Sequence, residues 1–368
     1  MNEKINYWLA LRGIKGIGSA IAKRLLQRFK KPEYIFSASL KELLEVKGIS
    51  SKTAETIAGF SGWQGIEKEI IEARKLGISI LCWDDKGYPK NLLSLHDPPI
   101  VLHLLGELKE SDNAALAIVG SRNSSAYGLE ITKNFSYCLA QAGVTVISGM
   151  ARGIDSVAHK GALQAGGRTI AVTGCGLDII YPPENRQLFS EIKKHGAILS
   201  EFPLGTAPEA GNFPRRNRLI SGLSMGVIVV EASLKSGSLI TAKYALEQGR
   251  EVYAIPGNIN SMKSRGTNSL IKEGAKLVET PEEILNDFLP QIDSPLYGQD
   301  IPRQEVKFSL NEREQTIYSQ LTLQPLHIDE LVKKCTMDVT DISSHLLSLE
   351  LMGAVTQHPG KMFSRGLS

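Results

Sequence analysis

Between about Ile78 and Leu289, short apolar runs alternate with longer amphipathic stretches, and this alternation is the dominant pattern of the chain. The runs are Ala115 to Val119, Val144 to Ile147, Thr169 to Val172, Ala197 to Leu199, Val227 to Val230 and Val252 to Ile255. Each has the length of a buried strand, and helix-length segments separate them. Right-handed crossovers and a mostly parallel sheet are therefore predicted. The fold class is α/β, with a Rossmann-like domain over residues 76–289. Such sheets bind ligands beyond the carboxyl ends of their strands, so the residues after each run are the candidates for chemistry.

The flanks read differently. Residues 1–75 contain an internal echo of about 32 residues, in which Lys15-Gly16-Ile17-Gly18-Ser19 matches Lys47-Gly48-Ile49-Ser50-Ser51 and Ala22 matches Ala54. Each copy is a helix, a glycine hairpin and a second helix, and together they resemble a tandem helix-hairpin-helix (SAM-like) domain. The resemblance implies hairpin amides that approach DNA phosphates; packing alone would equally account for the repeat. Ser50, where the first copy has Gly18, is expected to strain the second turn. Residues 290–308 are rich in proline, glutamine and charge and read as a linker. In residues 309–368, helical periodicity over Asn311–Gln320, Ile328–Lys334 and Val339–Leu349, then a hairpin around Pro359-Gly360, predicts a winged helix. Its third helix carries no lysine or arginine, so a protein contact is expected there rather than a DNA groove.

Composition changes this picture little. A chain of 368 residues with 42% hydrophobic content can bury one large core and smaller satellites, and a formal charge of +3 leaves any nucleic-acid case to local clusters. Cys82, Cys138, Cys175 and Cys335 lie far apart without metal-ligand spacing. They read as reduced thiols, and with no apolar run of membrane-spanning length the expected location is the cytoplasm.

The turns after the runs are small and rich in free amides. They include Gly120-Ser121-Arg122, then Ser148 and Gly149 leading to Arg152-Gly153, and Gly174. Further on, Phe213 precedes Arg215, Arg216, Asn217 and Arg218, and Lys235-Ser236-Gly237-Ser238 follows the Val227 to Val230 run. Glycine lets backbone approach a ligand, a helix start presents N–H groups to an anion, and arginine offers a planar fork to phosphate. Taken singly, each turn also has a structural reading, as a glycine that needs positive φ. Asp155 would repel phosphate and is expected to cap the following helix or pair with an arginine. Lys160 sits one turn into that helix, on the groove or on a solvated face. Phe213, Tyr181 and Phe202 are candidate base platforms or core aromatics, with Phe213 preferred because it adjoins the basic cluster.

Enzyme readings are weaker. Gly222-Leu223-Ser224-Met225-Gly226 matches a nucleophile elbow, but a helical segment precedes it and a strand follows, the reverse of what that motif needs. No Walker sequence occurs, and Gly174-Cys175-Gly176 lacks the third glycine of a dinucleotide fingerprint. The alternative is a nucleotide-binding phosphoribohydrolase-like enzyme of similar fold, for which Glu231 would be the carboxylate, although the Lys235 to Leu239 turn departs from that family's Pro-Gly-Gly-x-Gly-Thr segment. No catalytic residue, metal or cofactor is expected.

Ala117 to Arg122, Ser148 to Asp155 with Ala158-His159-Lys160, and the Asn212 to Ile255 block together resemble the bacterial DNA-processing protein A family (DprA, also called Smf). The resemblance implies a single-stranded DNA-binding protein that protects incoming DNA and loads the RecA recombinase during natural transformation, acting as a homodimer through the central domain. It implies a phosphate motif at Gly120, Ser121 and Arg122, a lysine at Lys160, an Arg-Asn-Arg segment at Arg216 to Arg218 and a turn at Lys235 to Ser238. No membrane partner is implied.

Overall fold

The computed structural model describes residues 4–288, 310–322 and 324–365; the expected linker at 290–308 lies outside them. In the N-terminal part, helices α1 (Lys4–Gly13), α2 (Ser19–Phe29), α3 (Pro32–Phe36), α4 (Leu40–Leu44), α5 (Ser51–Ala58) and α6 (Trp63–Lys75) form the two repeats. Gly16 and Gly48 have φ of 97° and 90°, the left-handed region that glycine tolerates at no steric cost. Each hairpin packs on the second helix of the other copy. A Cβ on Gly16 would lie 3.0 Å from Thr53 Oγ1 in α5, and one on Gly48 would lie 2.6 Å from Arg24 Nη1 in α2. The expected strain at Ser50 does not occur. Ser50 is extended and caps α5, its hydroxyl accepting from the Thr53 amide at 3.1 Å, which satisfies an otherwise orphaned helix donor.

These helices share a core with the sheet. Trp8, Leu9 and Leu11 pack with Cys82, Ile100 and Val101 in one apolar cluster, and α2 is hydrogen-bonded to the following loop, with Ser19 Oγ donating to Pro98 O at 2.6 Å and Lys23 Nζ to Leu95 O at 3.0 Å.

The central strands are β1 (Ser79–Cys82), β2 (Val101–Gly106), β3 (Ala115–Val119), β4 (Thr145–Ser148), β5 (Thr169–Val172), β6 (Ala197–Ser200), β7 (Gly226–Val229), β8 (Glu251–Ala254) and β9 (Lys276–Leu277). They form one sheet in the order β1-β2-β6-β5-β4-β3-β7-β8-β9, parallel from β6 to β9 and antiparallel at β1 and β2. All six predicted runs are strands. β1, β2 and β9 were not anticipated: β2 is buried along five residues and shows no alternation, and β9 has only two residues.

Alternation within a strand sends neighbours to opposite cores. Leu116 and Ile118 join the layer with Phe135, Leu139 and Ala158, while Ala117 and Val119 join the layer with Leu92, Leu219 and Ala242. The helices are α7 (Lys90–Leu93), α8 (Ala126–Gln141), α9 (Ile154–Gln164), α10 (Arg186–His195), α11 (Asn212–Leu223), α12 (Gly237–Glu247), α13 (Arg265–Lys272) and α14 (Pro281–Phe288). The chain adds strands in one direction from β3 to β6 and then returns to place β7 on the other side of β3. That reversal opens a crevice at the carboxyl edge between β3 and β7.

The C-terminal part has helices α15 (Glu312–Gln320), α16 (Ile328–Cys335) and α17 (Val339–Leu351) and strands β10 (Leu326–His327), β11 (Val355–His358) and β12 (Met362–Arg365). Asn311 and Glu314 form a capping box on α15, and Ile317, Leu331, Leu346 and Phe363 belong to a separate core.

One polar cluster ties α1 and α6 to β2. Glu69 accepts from Arg12 Nη2 at 2.7 Å and contacts His103 Nε2 at 3.1 Å. Burial pushes the Glu69 carboxyl up, but hydrogen bonds from His103 and Arg12 and the Arg12 charge outweigh it and hold the group at about 2. Because the folded value lies below the ordinary 4.5, the stability it contributes is complete above pH 4.5 and is lost as pH falls through about 2. We expect Glu69→Gln to lower stability in urea unfolding by about 3 kcal/mol at neutral pH, since Arg12 keeps its charge and loses its partner, and to flatten the loss between those pH values.

Candidate functional site

The crevice is a groove of about 1420 Å³. One wall is the loop after β3, Gly120 to Asn123; the opposite wall is the turn after β7, with Ser233, Ser236, Gly237 and Ser238; Phe213, Arg216 and Asn217 of α11 also line it. A smaller hollow of about 440 Å³ adjoins it, lined by the loops after β4 and β5 and sharing Arg122, Tyr181 and Phe213 with the groove.

The loops fit because glycine lets them stack. A Cβ on Gly120 would sit 2.6 Å from Ile154 Cγ1, and one on Gly153, at φ 73°, would sit 2.4 Å from Ser121 O. Ile154 N donates to Ser121 O at 3.2 Å, so the second loop supports the first from below. The far end of the first loop is anchored by Glu231, whose carboxylate accepts from Ser125 N at 2.9 Å and from the Ser125 hydroxyl, while Ser125 caps α8. That carboxylate is only 3% exposed and is already engaged in holding backbone.

Arg216 lies at the base of the site, 3% exposed, donating to Gly149 O at 2.8 Å and to Val172 O. A Cβ on Gly149 would meet Arg216 Nη2 at 2.6 Å and Asp155 Oδ2 at 2.8 Å, so this glycine makes room for both charges. Burial lowers Arg216 to about 10, with Asp155 opposing the shift, and Arg216 therefore stays cationic at neutral pH. Burial pushes Asp155 up, and Arg216 and the Ala151 amide pull it back. Beneath them, burial and the Arg216 charge hold His159 near 3. It is neutral, with Nδ1 2.7 Å from Thr169 Oγ1.

Phe213 covers Arg216. Its ring lies against the Gly174 backbone, where a Cβ would be 2.9 Å from Phe213 Cδ1, with the Arg122 guanidinium 5.1 Å and that of Arg216 5.9 Å from the ring centroid. These separations suit cation–π attraction. Asn217 Nδ2 donates to Gly237 O at 3.1 Å and ties α11 to the start of α12, whose cap is Ser236.

The structure thus gathers Gly120, Ser121, Arg122, Gly149, Arg152, Gly174, Phe213, Arg216, Asn217, Ser236, Gly237 and Ser238 around the groove and its hollow. Other expected residues are placed elsewhere. Ser148 is fully buried, its hydroxyl donating to Ile118 O at 2.6 Å, and Gly153 packs under the first loop. α9 begins at Ile154, so Lys160 is nearly two turns in, about 9 Å along the axis rather than one turn, and it does not line the groove. Arg215 lies over Phe202, 5.3 Å from the ring centroid, and Arg218 pairs with Glu201 and with Asp97. Lys235 is exposed on the turn before α12, outside the wall. A helix rotates about 100° per residue, which sends Arg215, Arg216 and Arg218 in different directions although they adjoin in sequence.

Tyr181, Asn123 and Ser233 line the site without having been assigned to it. Tyr181 was a candidate platform ranked below Phe213 because it does not adjoin the basic cluster in sequence, and only the fold brings it to the site. Ser224 of the elbow-like motif is fully buried between α11 and β7 and donates to Ser221 O at 3.0 Å. Among the described residues no cluster of metal-ligating side chains occurs. What remains is a buried and an exposed guanidinium, a helix start and an aromatic floor, a set suited to a slender polyanion. In the C-terminal part, α17 exposes Val339, Leu347 and Leu351 and carries no lysine or arginine.

The family model described as DNA recombination-mediator protein A matches residues 79–289, with the DprA winged helix domain at 302–361 and a SAM-like helix-hairpin-helix tandem at 9–58. Protein Smf of Synechocystis sp. is 36% identical over 99% of both chains. The X-ray structure of DNA processing protein A from Streptococcus pneumoniae superposes with a TM-score of 0.69 at 34% identity, covering 77% of this chain and 98% of that one. A structure reporting the single-stranded DNA binding mode of the Helicobacter pylori protein superposes with a TM-score of 0.53 at 35% identity, covering 58% and 96%.

The crowding at Gly149 yields a direct test. Gly149→Ala must push Arg216 and Asp155 apart, and we expect a loss of about 1–3 kcal/mol, read as a lower Tm, whereas alanine at the open Gly211 position should leave Tm nearly unchanged.

Proposed function

We propose that this chain, which belongs to the DNA recombination-mediator protein A family, binds single-stranded DNA in the groove at the carboxyl edge of its sheet. The observation that carries the reading is the gathering of exposed Arg122 and buried Arg216 about the Phe213 ring, next to the amides that begin α12. Phosphates would run past Arg122 and the Ser236–Ser238 turn, which makes binding sequence-tolerant and salt-sensitive. The single-stranded DNA binding mode reported for the Helicobacter pylori relative supports the same ligand class.

The proposal extends to protecting incoming strands and delivering RecA to them during natural transformation, as a non-enzymatic protein of the cytoplasm. No helix among the described residues is long and apolar enough to cross a membrane. The cation-free α17, with its exposed apolar side chains, supports a protein contact by the winged helix.

A homodimer through the central domain is part of the reading. Leu234, Ile259 and Met262 are 60%, 81% and 60% exposed, and the turn holding Leu234 is tied to the start of α13 by Gly266 N donating to Ala232 O at 2.7 Å. An interface over these side chains would place two grooves in one particle and raise avidity for a long strand.

Two outcomes are expected. In mobility shifts with single-stranded and duplex oligonucleotides, the chain prefers the single strand; Arg122→Ala weakens that binding about tenfold or more and lowers the salt slope by about 0.7. Duplex preference would overturn the reading. In sedimentation, Ile259→Glu shifts the particle toward monomer while its circular dichroism stays that of the parent chain.

A further inference from the structure

A separate cavity of about 860 Å³ opens at the amino edge of the sheet. The loop from Lys86 to Asn91, the connection from Leu108 to Asn113 that leads into β3, Ile170 of β5 and Leu223 at the end of α11 enclose it. Phe213 of the groove and Leu223 of this cavity stand near opposite ends of α11, about 15 Å apart along its axis. A ligand here would not share the groove.

Cations reach the cavity from two segments, Lys86 and Lys90 from the first and Lys109 from the second. All three are exposed, and among the described residues none of their ammonium groups has a carboxylate partner. Two carboxylates also line the cavity, but only one is free. Asp112 is buried and neutralised by Arg168, which donates from Nε at 2.7 Å and from Nη2 at 2.8 Å; the remaining acceptor sites take Thr145 Oγ1 at 2.9 Å and Lys109 N at 2.8 Å. Glu110 is exposed and unpaired, which leaves three cations against one anion. The last carbonyl of α11, Leu223 O, is already occupied by Asn91 Nδ2 at 3.2 Å.

Between the cations the wall is apolar. Tyr88, Pro89, Leu108 and Leu223 form it, and Tyr88 is held in place by its hydroxyl, which donates to Pro99 O at 2.6 Å. Small-molecule sites have this combination, an apolar surface with a few convergent polar groups, in cavities of about 300–1000 Å³. Lysine ammonium groups, with three rotatable donors each, suit phosphate oxygens.

We propose that this cavity binds a nucleoside di- or triphosphate, its phosphates among Lys86, Lys90 and Lys109 and its nucleoside against the apolar wall. An inorganic anion would use the lysines and leave the wall bare, whereas a nucleotide carries a part for each surface. The site lies outside the groove and does not rest on the single-strand reading.

The test is titration calorimetry on the full chain with ATP, tripolyphosphate and adenosine as probes. The parent is expected to bind ATP, and to bind tripolyphosphate about tenfold more weakly, since that anion has no apolar part to bury. Adenosine, without phosphates, should bind at least about tenfold more weakly than ATP. Lys90→Gln and Lys109→Gln should each weaken ATP binding by about tenfold or more, while Lys90→Arg stays near the parent. Both glutamine variants should keep the parent's affinity for a single-stranded oligonucleotide. A parent that binds no ATP, or ATP affinity unmoved by both glutamine substitutions, overturns the site. Tripolyphosphate bound as tightly as ATP overturns the nucleoside assignment, and a matching loss of single-strand binding shows that these lysines serve the strand instead.

Discussion

The carboxyl edge of the sheet is organised around one buried cation. Arg216 reaches from α11 to the backbone carbonyls of Gly149 and Val172, at the ends of β4 and β5, and lies under Phe213 and opposite Asp155. A guanidinium suits this position because its planar fork can serve several acceptors and it keeps its charge even when burial lowers its proton affinity. Desolvating such a charge is costly, and the carbonyls, the carboxylate and the aromatic face offset that cost. The glycines of the neighbouring turns follow from this. Gly149 makes room for Arg216 and Asp155, and Gly174 for the ring that covers them.

The same constraint shapes the ligand surface. Asp155 and Arg216 oppose each other at the base of the groove, so its unopposed charge comes from Arg122 and from the helix start at Gly237. Other cations near the site are held by partners: Arg152 by Glu184, Arg218 by Glu201 and Asp97. The groove is thus less basic than its sequence, with cation, amide and aromatic groups spread along it. That distribution suits a flexible chain of phosphates and bases better than a compact anion held at one point. Glu231, the carboxylate that an enzyme of this fold would need, instead fixes the loop carrying Arg122.

The flanking parts are attached in different ways. The helical repeats share apolar side chains with the first strands, and the Glu69 cluster connects α1 and α6 to β2. The winged helix has a core of its own.

Period and spacing alone were enough for much of this protein. Six buried strands separated by helix-length segments imply a parallel sheet, and the hairpin glycines and the capping residues Asn311 and Glu314 act within a few residues of themselves. Local physics of that kind is legible in a sequence. The same holds for the residues that line the groove as backbone turns, Gly120 to Arg122 and Ser236 to Ser238. The uses of individual side chains were not legible. Arg215, Arg216 and Arg218 adjoin in the chain, yet one lies over Phe202, one is buried and one is held by carboxylates, because helical rotation and long-range partners at Gly149, Val172 and Glu201 set their directions. Ser148 reads as a groove hydroxyl until the neighbouring strand supplies the Ile118 carbonyl, and Tyr181, in sequence either a platform or a core aromatic, is placed at the groove only when Phe213, 32 positions away, is folded against it. Element types follow from short-range order along the chain; which groups face a ligand depends on contacts between distant segments, and these exist only once the sheet has closed over its core.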